Sequence, residues 1–172
     1  MATKQLLSEQ VIEDLQDYIN KPYGFVLLTG KNGRGKSYTA MHVYSKLTPY
    51  KLPARDYDIA WFINQADLNM LFSDANEKYG SAIGLAKQLC ATRFLVIDDL
   101  GTRTPTPAFM DFLYAVIDKR WNERDKKGTM ITTNLGSAAI RLDFGDAIGS
   151  RILSGRNYVV IGEDRRFKDL GF

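Results

Sequence analysis

The stretch GKNGRGKS at residues 30–37 decides the fold of this chain. It matches the pattern G-x-x-x-x-G-K-[ST] at every fixed position. The apolar run at 24–29 before it predicts a buried strand, and the stretch at 37–44 after it predicts a helix. Glycines let backbone N–H groups turn inward around phosphate oxygens, and the N-terminus of the helix adds partial positive charge. The pattern therefore predicts a loop that binds a nucleoside triphosphate, the alternative being a chance glycine-rich turn.

Each residue type in this loop suits a triphosphate with Mg²⁺. The Lys36 ammonium can reach the β- and γ-phosphate oxygens, and the Ser37 hydroxyl can bind Mg²⁺. We expect the loop and the first helical residues to contact the nucleotide together. The predicted nucleotide-binding residues are Gly30, Lys31, Asn32, Gly33, Arg34, Gly35, Lys36, Ser37 and Tyr38.

Length and composition predict one domain without membrane contact. The chain has 172 residues, of which 45% are hydrophobic and 25% charged, enough for one substantial core. No apolar run approaches the roughly 20 residues that cross a bilayer, and the N-terminus lacks the apolar core of a signal peptide. Cys90 is the only cysteine, so an internal disulfide is excluded. We expect a cytoplasmic protein.

The number and distribution of basic residues do not identify a binding partner. The formal net charge of +3 permits nucleic-acid binding but does not argue for it. The densest basic stretch runs from Lys119 to Lys127 and is interrupted by Glu123 and Asp125. On a helix we expect these side chains mostly to form a solvated face.

Alternating helix and strand signals predict an α/β fold of three layers, a P-loop NTPase architecture. Continuous apolar runs indicate a mostly parallel sheet of five strands with helices on both faces. Residues 1–22 should hold an N-terminal helix capped by Ser8, and residues 23–172 one core domain. The predicted strands are 24–29, 58–63, 94–97, 129–133 and 157–161, and the later helices are 65–76, 81–91, 106–127 and a broken 137–154.

A pair of acidic residues follows an apolar strand downstream of the loop. Residues 94–97 are apolar, and Asp98 and Asp99 come directly after them. At the end of a parallel strand the first carboxylate can reach Mg²⁺, and the second can orient or deprotonate the attacking water. We assign Asp98 to the metal and Asp99 to the water, with turn chemistry at 99–101 as the alternative. Asp99 is shorter than glutamate, so we expect slow hydrolysis.

Further polar positions can complete such a site. Asn134 follows the strand 129–133, where it can touch the γ-phosphate or the water, or act as a turn or helix cap. Arg151 lies in a predicted helix, and Arg165 and Arg166 follow the last predicted strand. An arginine can neutralise charge that develops on a γ-phosphoryl group, although surface ion pairs are the default reading of these arginines.

Taken in order, these motifs resemble one family, the AAA+ ATPases of the DnaC/DnaI helicase loaders and the IstB transposition helpers. The resemblance covers nearly the whole chain, from about Tyr23 to Arg166. The segments that carry it are GKNGRGKS at 30–37, FLVIDDLG at 94–101, VIDKRWNERDKKGTMITTNL at 116–135, GSRIL at 149–153 and GEDRR at 162–166.

The resemblance implies ATP and Mg²⁺ as ligands and a role for each position near them. Lys36 and Ser37 would hold the phosphates and Mg²⁺. Asp98 and Asp99 would form the Walker B pair, and Asn134 would be the sensor-1 residue.

The resemblance also implies two arginine roles. Arg151 would be an arginine finger that completes the site of an adjoining subunit, which requires a homo-oligomer forming a ring or spiral. Arg166 would be the sensor-2 arginine. The family pattern there is G-x-S-Y-R, and the Ser-Tyr pair is missing here, so Arg165 is a rival.

By the same resemblance, the helices at 65–91 would face single-stranded DNA. We expect a slow ATPase, stimulated by oligomerisation or DNA, that assembles on single-stranded DNA and delivers or remodels a replicative helicase. The alternatives are a transposition helper acting with a transposase, a nucleotide-gated DNA-binding module with little hydrolysis, and a small-molecule phosphotransferase. About twenty residues precede the first predicted strand, fewer than in helicase loaders, so we expect a bare ATPase core. Candidate DNA contacts are Asn69, Lys78, Tyr79, Lys87 and Gln88.

Overall fold

Six strands form one parallel sheet at the centre of the molecule. The computed structural model describes residues 3–48 and 60–164, with residues 76 and 77 described by their backbone alone. The strands are β1 Lys4–Leu7, β2 Gly24–Thr29, β3 Ala60–Asn64, β4 Phe94–Leu100, β5 Gly128–Thr133 and β6 Arg156–Ile161. Their order across the sheet is β1-β6-β2-β5-β4-β3, and each of these pairings is parallel.

The predicted α/β fold with a parallel sheet is confirmed, but the predicted number of strands is wrong. The additional strand is β1, which lies within the first 22 residues, where we expected only a helix. Its residues are mostly exposed and form no continuous apolar run, so no strand pattern is visible in the sequence. β1 is an edge strand that pairs with β6, with Leu7 opposite Ile161.

Helices cover both faces of the sheet. Alternate residues of each central strand point to opposite faces, so Leu27 packs in one core and Val26 in the other. The larger core lies under α4 to α8, and the smaller core lies under α1 to α3. The helices are α1 Ser8–Asp14, α2 Gln16–Asn20, α3 Lys36–Leu47, α4 Gln65–Ser73, α5 Ala75–Tyr79, α6 Ala82–Ala91, α7 Pro107–Asn122 and α8 Ser137–Leu153.

Several predicted boundaries shift for local reasons. Ser8 is the first residue of α1 and is buried, and the N-cap is Leu7, whose N–H donates to Gln10 Oε1 at 3.0 Å. The Thr106 cap of α7 is present, since its hydroxyl accepts from Phe109 N at 3.2 Å. The break in α8 occurs at Gly145, whose φ of +78° is not helical. The predicted strand residues 58 and 59 lie outside the described residues.

A fully buried arginine on α7 departs from the predicted solvated face. Arg120 is 0% exposed, and its Nε donates to Thr129 Oγ1 at 2.8 Å. Its terminal nitrogens donate to the carbonyl oxygens of Leu89 and Thr92, both at 2.8 Å, and to that of Gly128. Burial lowers the pKa of Arg120 to about 10, which leaves the side chain protonated at neutral pH. Arg120 therefore joins α6, α7 and β5 with a single charged group.

Replacing Arg120 by methionine is expected to lower the free energy of unfolding by about 2–4 kcal/mol, because buried oxygen acceptors would lose their donor. The matched variant Arg93→Met removes an exposed arginine and should change the free energy by less than about 0.5 kcal/mol. Urea unfolding of both variants and of wild type measures the difference. Equal stability of the two variants would contradict this role of Arg120.

Polar contacts attach the N-terminal elements to the edge of the sheet. Lys4 Nζ donates to both carboxylate oxygens of Asp14, at 2.7 and 2.8 Å. Tyr158 Oη on β6 donates to the same carboxylate at 2.6 Å. The hydrogen bond from Lys4, followed by that from Tyr158, lowers the pKa of Asp14 below its ordinary value. The ionised form of Asp14 thus stabilises the folded chain.

We expect Asp14→Asn to lower the free energy of unfolding by about 1 kcal/mol at neutral pH, since the pair is partly exposed. The pKa of Asp14 is lower in the folded state, so its contribution is present above the unfolded-state pKa and is lost as pH falls through the folded-state pKa. The difference between wild type and variant should therefore shrink between about pH 5 and pH 2. Urea titrations at several pH values measure it, and a pH-independent difference would be the contrary result.

Candidate nucleotide-binding site

The predicted site residues lie at the carboxyl edge of the sheet. The parallel order β2-β5-β4 places the ends of these three strands side by side. The phosphate loop follows β2, Asn134 follows β5, and Asp98 and Asp99 lie near the end of β4. Parallel α/β sheets bind ligands at this edge.

The loop at 30–37 adopts a backbone that requires glycine at three positions. Gly30, Gly33 and Gly35 have φ values of +133°, +73° and +92°, which L-residues rarely adopt. A Cβ at Gly30 would also collide with the carbonyl oxygen of Val160. Gly35 is the N-cap of α3, so the N-terminus of that helix opens directly onto the loop. The glycine pattern is therefore explained by the conformation of the loop.

Lys36 connects the loop to the end of β5. The side chain is only 5% exposed. Its Nζ donates to the carbonyl oxygen of Lys31 at 3.0 Å and to Asn134 Oδ1 at 2.6 Å. The structure thus brings together two residues that are 98 positions apart in the chain. Both oxygens that hold the ammonium are neutral, so its positive charge remains available to an anionic ligand.

Asp98 contacts the phosphate loop at Ser37. It is 7% exposed and accepts hydrogen bonds from Thr132 Oγ1, at 2.6 Å, and from the Ser37 side chain. Burial raises the pKa of Asp98 above its ordinary value, and the charge of Asp99 adds to this effect. The bonds from Thr132 and Ser37 and the charge of Lys36 oppose it. A cation bound beside Asp98 would favour its ionised form.

Asp99 has an unusual backbone. It is the one non-glycine residue with positive φ in the described part of the chain, at +53°. Its N–H donates to Thr132 Oγ1 at 2.9 Å, and the register of β4 against β5 shifts between Ile97 and Leu100. The Asp99 side chain is half-buried. Asp98 and Asp99 both lie in β4, and the chain turns directly after the strand, at Gly101. Residues 99–103 are named the Asp99 turn.

Two threonines that the sequence interpretation did not include organise this region. The Thr132 hydroxyl donates to Asp98 and accepts from the N–H of Asp99. The Thr133 hydroxyl donates to the carbonyl oxygen of Leu100 at 2.5 Å and accepts from the N–H of Leu135 at 3.1 Å. The sequence offers one signal, that β5 ends in Thr-Thr directly before Asn134. A threonine on a buried strand does not by itself indicate a site.

Arg151 lies in a separate cluster between α7 and α8. Its guanidinium donates to Asp118 Oδ1 at 2.5 Å and to the carbonyl oxygen of Ala147 at 2.6 Å, and it lies 5.4 Å from the ring of Tyr114. Its buried Nε has no hydrogen-bond partner among the described residues. The predicted arginine finger is therefore paired within its own subunit.

The predicted sensor-2 arginines, Arg165 and Arg166, lie outside the described residues. The residue before them is described, and its position is informative. The Asp164 carboxyl group lies against Gly33, where it would overlap a Cβ. The chain therefore returns to the phosphate loop just before these arginines.

The predicted DNA contacts differ in exposure. Tyr79 packs against the larger core, which favours the packing interpretation of that ring. Lys78, Lys87 and Gln88 are exposed, and Asn69 is half-buried.

Among the described residues, no helix is both long and apolar enough to cross a membrane.

The residues present fit a magnesium–triphosphate ligand. The glycines of the loop have no side chains, so its backbone N–H groups can approach phosphate oxygens. Lys36 supplies a positive charge. In the described ranges, no cluster of three or more His, Cys, Asp and Glu side chains could hold a metal alone. Mg²⁺ is usually held by few protein oxygens together with phosphates and water. Ser37 and Asp98 would supply the protein oxygens.

The fold is similar to that of several solved replication proteins. A DnaC helicase loader is 21% identical, with a TM-score of 0.72 and 94% of each chain covered. DnaI is 15% identical, with a TM-score of 0.63, and 88% of this chain and 81% of DnaI are covered. AMPPCP-bound DnaA from Aquifex aeolicus is 14% identical, with a TM-score of 0.70, and this chain covers 49% of it. At these identities the likeness establishes the fold alone.

The sequence itself identifies a family. No curated protein is significantly similar to the chain in sequence. The family model for IstB-like ATP binding proteins, however, matches residues 3–157, which is most of the chain. The resemblance to the DnaC and IstB group of AAA+ proteins is thereby confirmed, and the chain belongs to the family of IstB-like ATP binding proteins.

Proposed function

We propose that this chain binds ATP with Mg²⁺, hydrolyses it slowly as a homo-oligomer, and acts on single-stranded DNA as a cytoplasmic, helicase-loader-like replication factor. The main support is that side chains of the phosphate loop contact residues at the ends of β4 and β5. Lys36 contacts Asn134, and Ser37 contacts Asp98. This arrangement surrounds one position with a cation, a hydroxyl, an amide and a carboxylate, as an ATPase site requires.

Each residue has a chemical task in this proposal. Loop N–H groups and Lys36 hold the phosphates, and Ser37 and Asp98 hold Mg²⁺, which when bound neutralises phosphate charge. Asn134 orients the Lys36 ammonium toward the γ-phosphate. Asp99 orients the attacking water, and its short side chain is the reason for slow turnover.

The proposal for an oligomer rests on Arg151. The guanidinium is a quarter exposed and is neutralised by Asp118, which is itself partly exposed. Ion pairs near solvent are weak, about 0–1 kcal/mol, so Arg151 can exchange Asp118 for a phosphate of an adjoining subunit at little cost. Arg165 or Arg166 would act on the nucleotide of its own subunit, a role supported by the contact of Asp164 with Gly33.

DNA and a replicative helicase are proposed as partners by likeness. One structure of similar fold is a replication initiator DnaA bound to AMPPCP and single-stranded DNA, and another is a DnaC helicase loader. The exposed Lys78 and Lys87 on α5 and α6 supply positive charge for a DNA backbone.

The family match favours one alternative, a transposition helper ATPase that acts with a transposase. A nucleotide-gated DNA-binding module with little hydrolysis is the other, because Asp stands at position 99. Parallel pull-downs with a purified replicative helicase and a purified transposase, each with ATP and with ADP, separate the first two. Retention of the transposase alone would replace the helicase proposal.

Lys36→Ala should weaken binding of a fluorescent ATP analogue by about 10- to 100-fold, the equivalent of one or two charged hydrogen bonds. Asp98→Asn should weaken it only when Mg²⁺ is present. Asp99→Asn should keep binding within about twofold while phosphate release falls at least about tenfold. Lys46→Ala, at the exposed end of α3, is the control and should leave both unchanged. Undiminished binding by Lys36→Ala would refute the nucleotide site.

Mixing two inactive variants tests the role of Arg151 in trans. Lys36→Ala and Arg151→Ala should each abolish phosphate release, but an equimolar mixture should regain part of it, because some interfaces then combine an intact loop with an intact arginine. Arg141→Ala, an exposed arginine on the same helix, is the control and should keep full activity. In wild type the rate per subunit should rise with protein concentration. A mixture without activity would exclude an arginine acting between subunits.

A further inference from the structure

A fully buried glutamine stands beside the acidic pair and is not part of the site described above. Gln65 is the first residue of α4 and is 0% exposed. The residue before it, Asn64, pairs with Asp98 across the sheet and caps α4 by accepting from Asp67 N at 2.8 Å. The side chain of Gln65 thus starts from the same edge of the sheet as Asp98.

The amide of Gln65 binds three successive backbone groups of the loop after β4. Its Oε1 accepts from the N–H of Gly101 at 2.7 Å and from the N–H of Thr102 at 3.1 Å. Its Nε2 donates to the carbonyl oxygen of Arg103 at 3.1 Å. These contacts use the donor and the acceptor of the amide together, so few other side chains could replace it.

The segment that Gln65 holds is the second half of the Asp99 turn. Thr132 fixes the N–H of Asp99, and Thr133 fixes the carbonyl oxygen of Leu100. Gln65 then fixes Gly101 and the two residues after it. A non-glycine residue in the left-handed region persists only where its surroundings over-determine it. The contacts at Asp99 and at the residues directly after it meet that condition.

We propose that Gln65 is a positioning residue, which holds the turn so that the Asp99 carboxylate keeps its place beside Asp98. The inference rests on the proposed ATPase function, because it concerns the group assigned to the attacking water. Gln65 does not touch the phosphate loop through these bonds. Its loss should therefore change the rate of hydrolysis rather than nucleotide binding.

Two substitutions separate the parts of the amide. Gln65→Met has similar length and loses all three hydrogen bonds. Gln65→Glu keeps the acceptor for Gly101 and Thr102 and loses the donor to Arg103. We expect Gln65→Met to lower kcat for ATP at least about tenfold, since small displacements of a catalytic group cost this much, while KM and analogue binding stay within about twofold. Gln65→Glu should retain an intermediate kcat.

Two controls separate positioning from stability. Gln16→Met makes the same change at the first residue of α2, where the glutamine is exposed and also donates to a backbone carbonyl. Val116→Ala lowers stability from the core of α7, away from the turn. Both should keep kcat within about twofold at temperatures below their unfolding midpoints. A Gln65→Met enzyme with the kcat of Val116→Ala would overturn the inference.

Amide hydrogen exchange keeps the inference testable if wild type proves not to hydrolyse ATP, a result that would refute the proposed function instead. In Gln65→Met, exchange should accelerate at Gly101 and Thr102, and also at Asp99, whose N–H is bonded to Thr132 rather than to Gln65. Acceleration that stops at Gly101 would mean that Gln65 does not hold Asp99, and the inference would fail.

Discussion

The parallel pairing of β5 with both β2 and β4 determines which side chains can meet in this molecule. It brings Asn134 to Lys36 and Thr132 to Asp98, contacts that span 98 and 34 positions of sequence. A slip of one residue in the pairing of β4 with β5 would turn Thr132 and Asp98 to opposite faces of the sheet. The buried apolar residues on both faces of β2, β4 and β5 prevent such a slip. The contacts of the candidate site, at the carboxyl edge of the sheet, therefore depend on the packing of the two apolar cores.

The sequence predicted best those features that depend on neighbouring residues. The phosphate loop, the acidic end of β4 and the Thr106 cap are local patterns whose physical causes lie within a few positions. By contrast, β1 pairs with a strand about 150 positions away and buries little, so its four residues carry no strand signal. Gln65, Thr132 and Arg120 act through distant partners. A polar residue in an apolar stretch can be exposed or can satisfy buried groups, and sequence spacing does not distinguish the two.

The turn after β4 connects the candidate site with the helices proposed for DNA. α4 begins at Gln65, and Gln65 binds the loop that follows Asp99. A displacement of α4 would therefore act on the Asp99 turn through bonds to its backbone. Arg151, in contrast, is held by α7 through Asp118, on a surface separate from these contacts. In the proposed function, DNA bound at α4 to α6 would therefore act on the site of its own subunit, whereas Arg151 would act on the site of an adjoining subunit.

The enclosure of Arg120 has a consequence for chemical labelling. Dicarbonyl reagents that modify guanidinium groups need access to the terminal nitrogens, and those of Arg120 are fully occupied by buried oxygens. In the native protein this arginine is therefore protected, whereas surface arginines such as Arg93 react. Modification of Arg120, followed by mass spectrometry, reports how often α6, α7 and β5 separate.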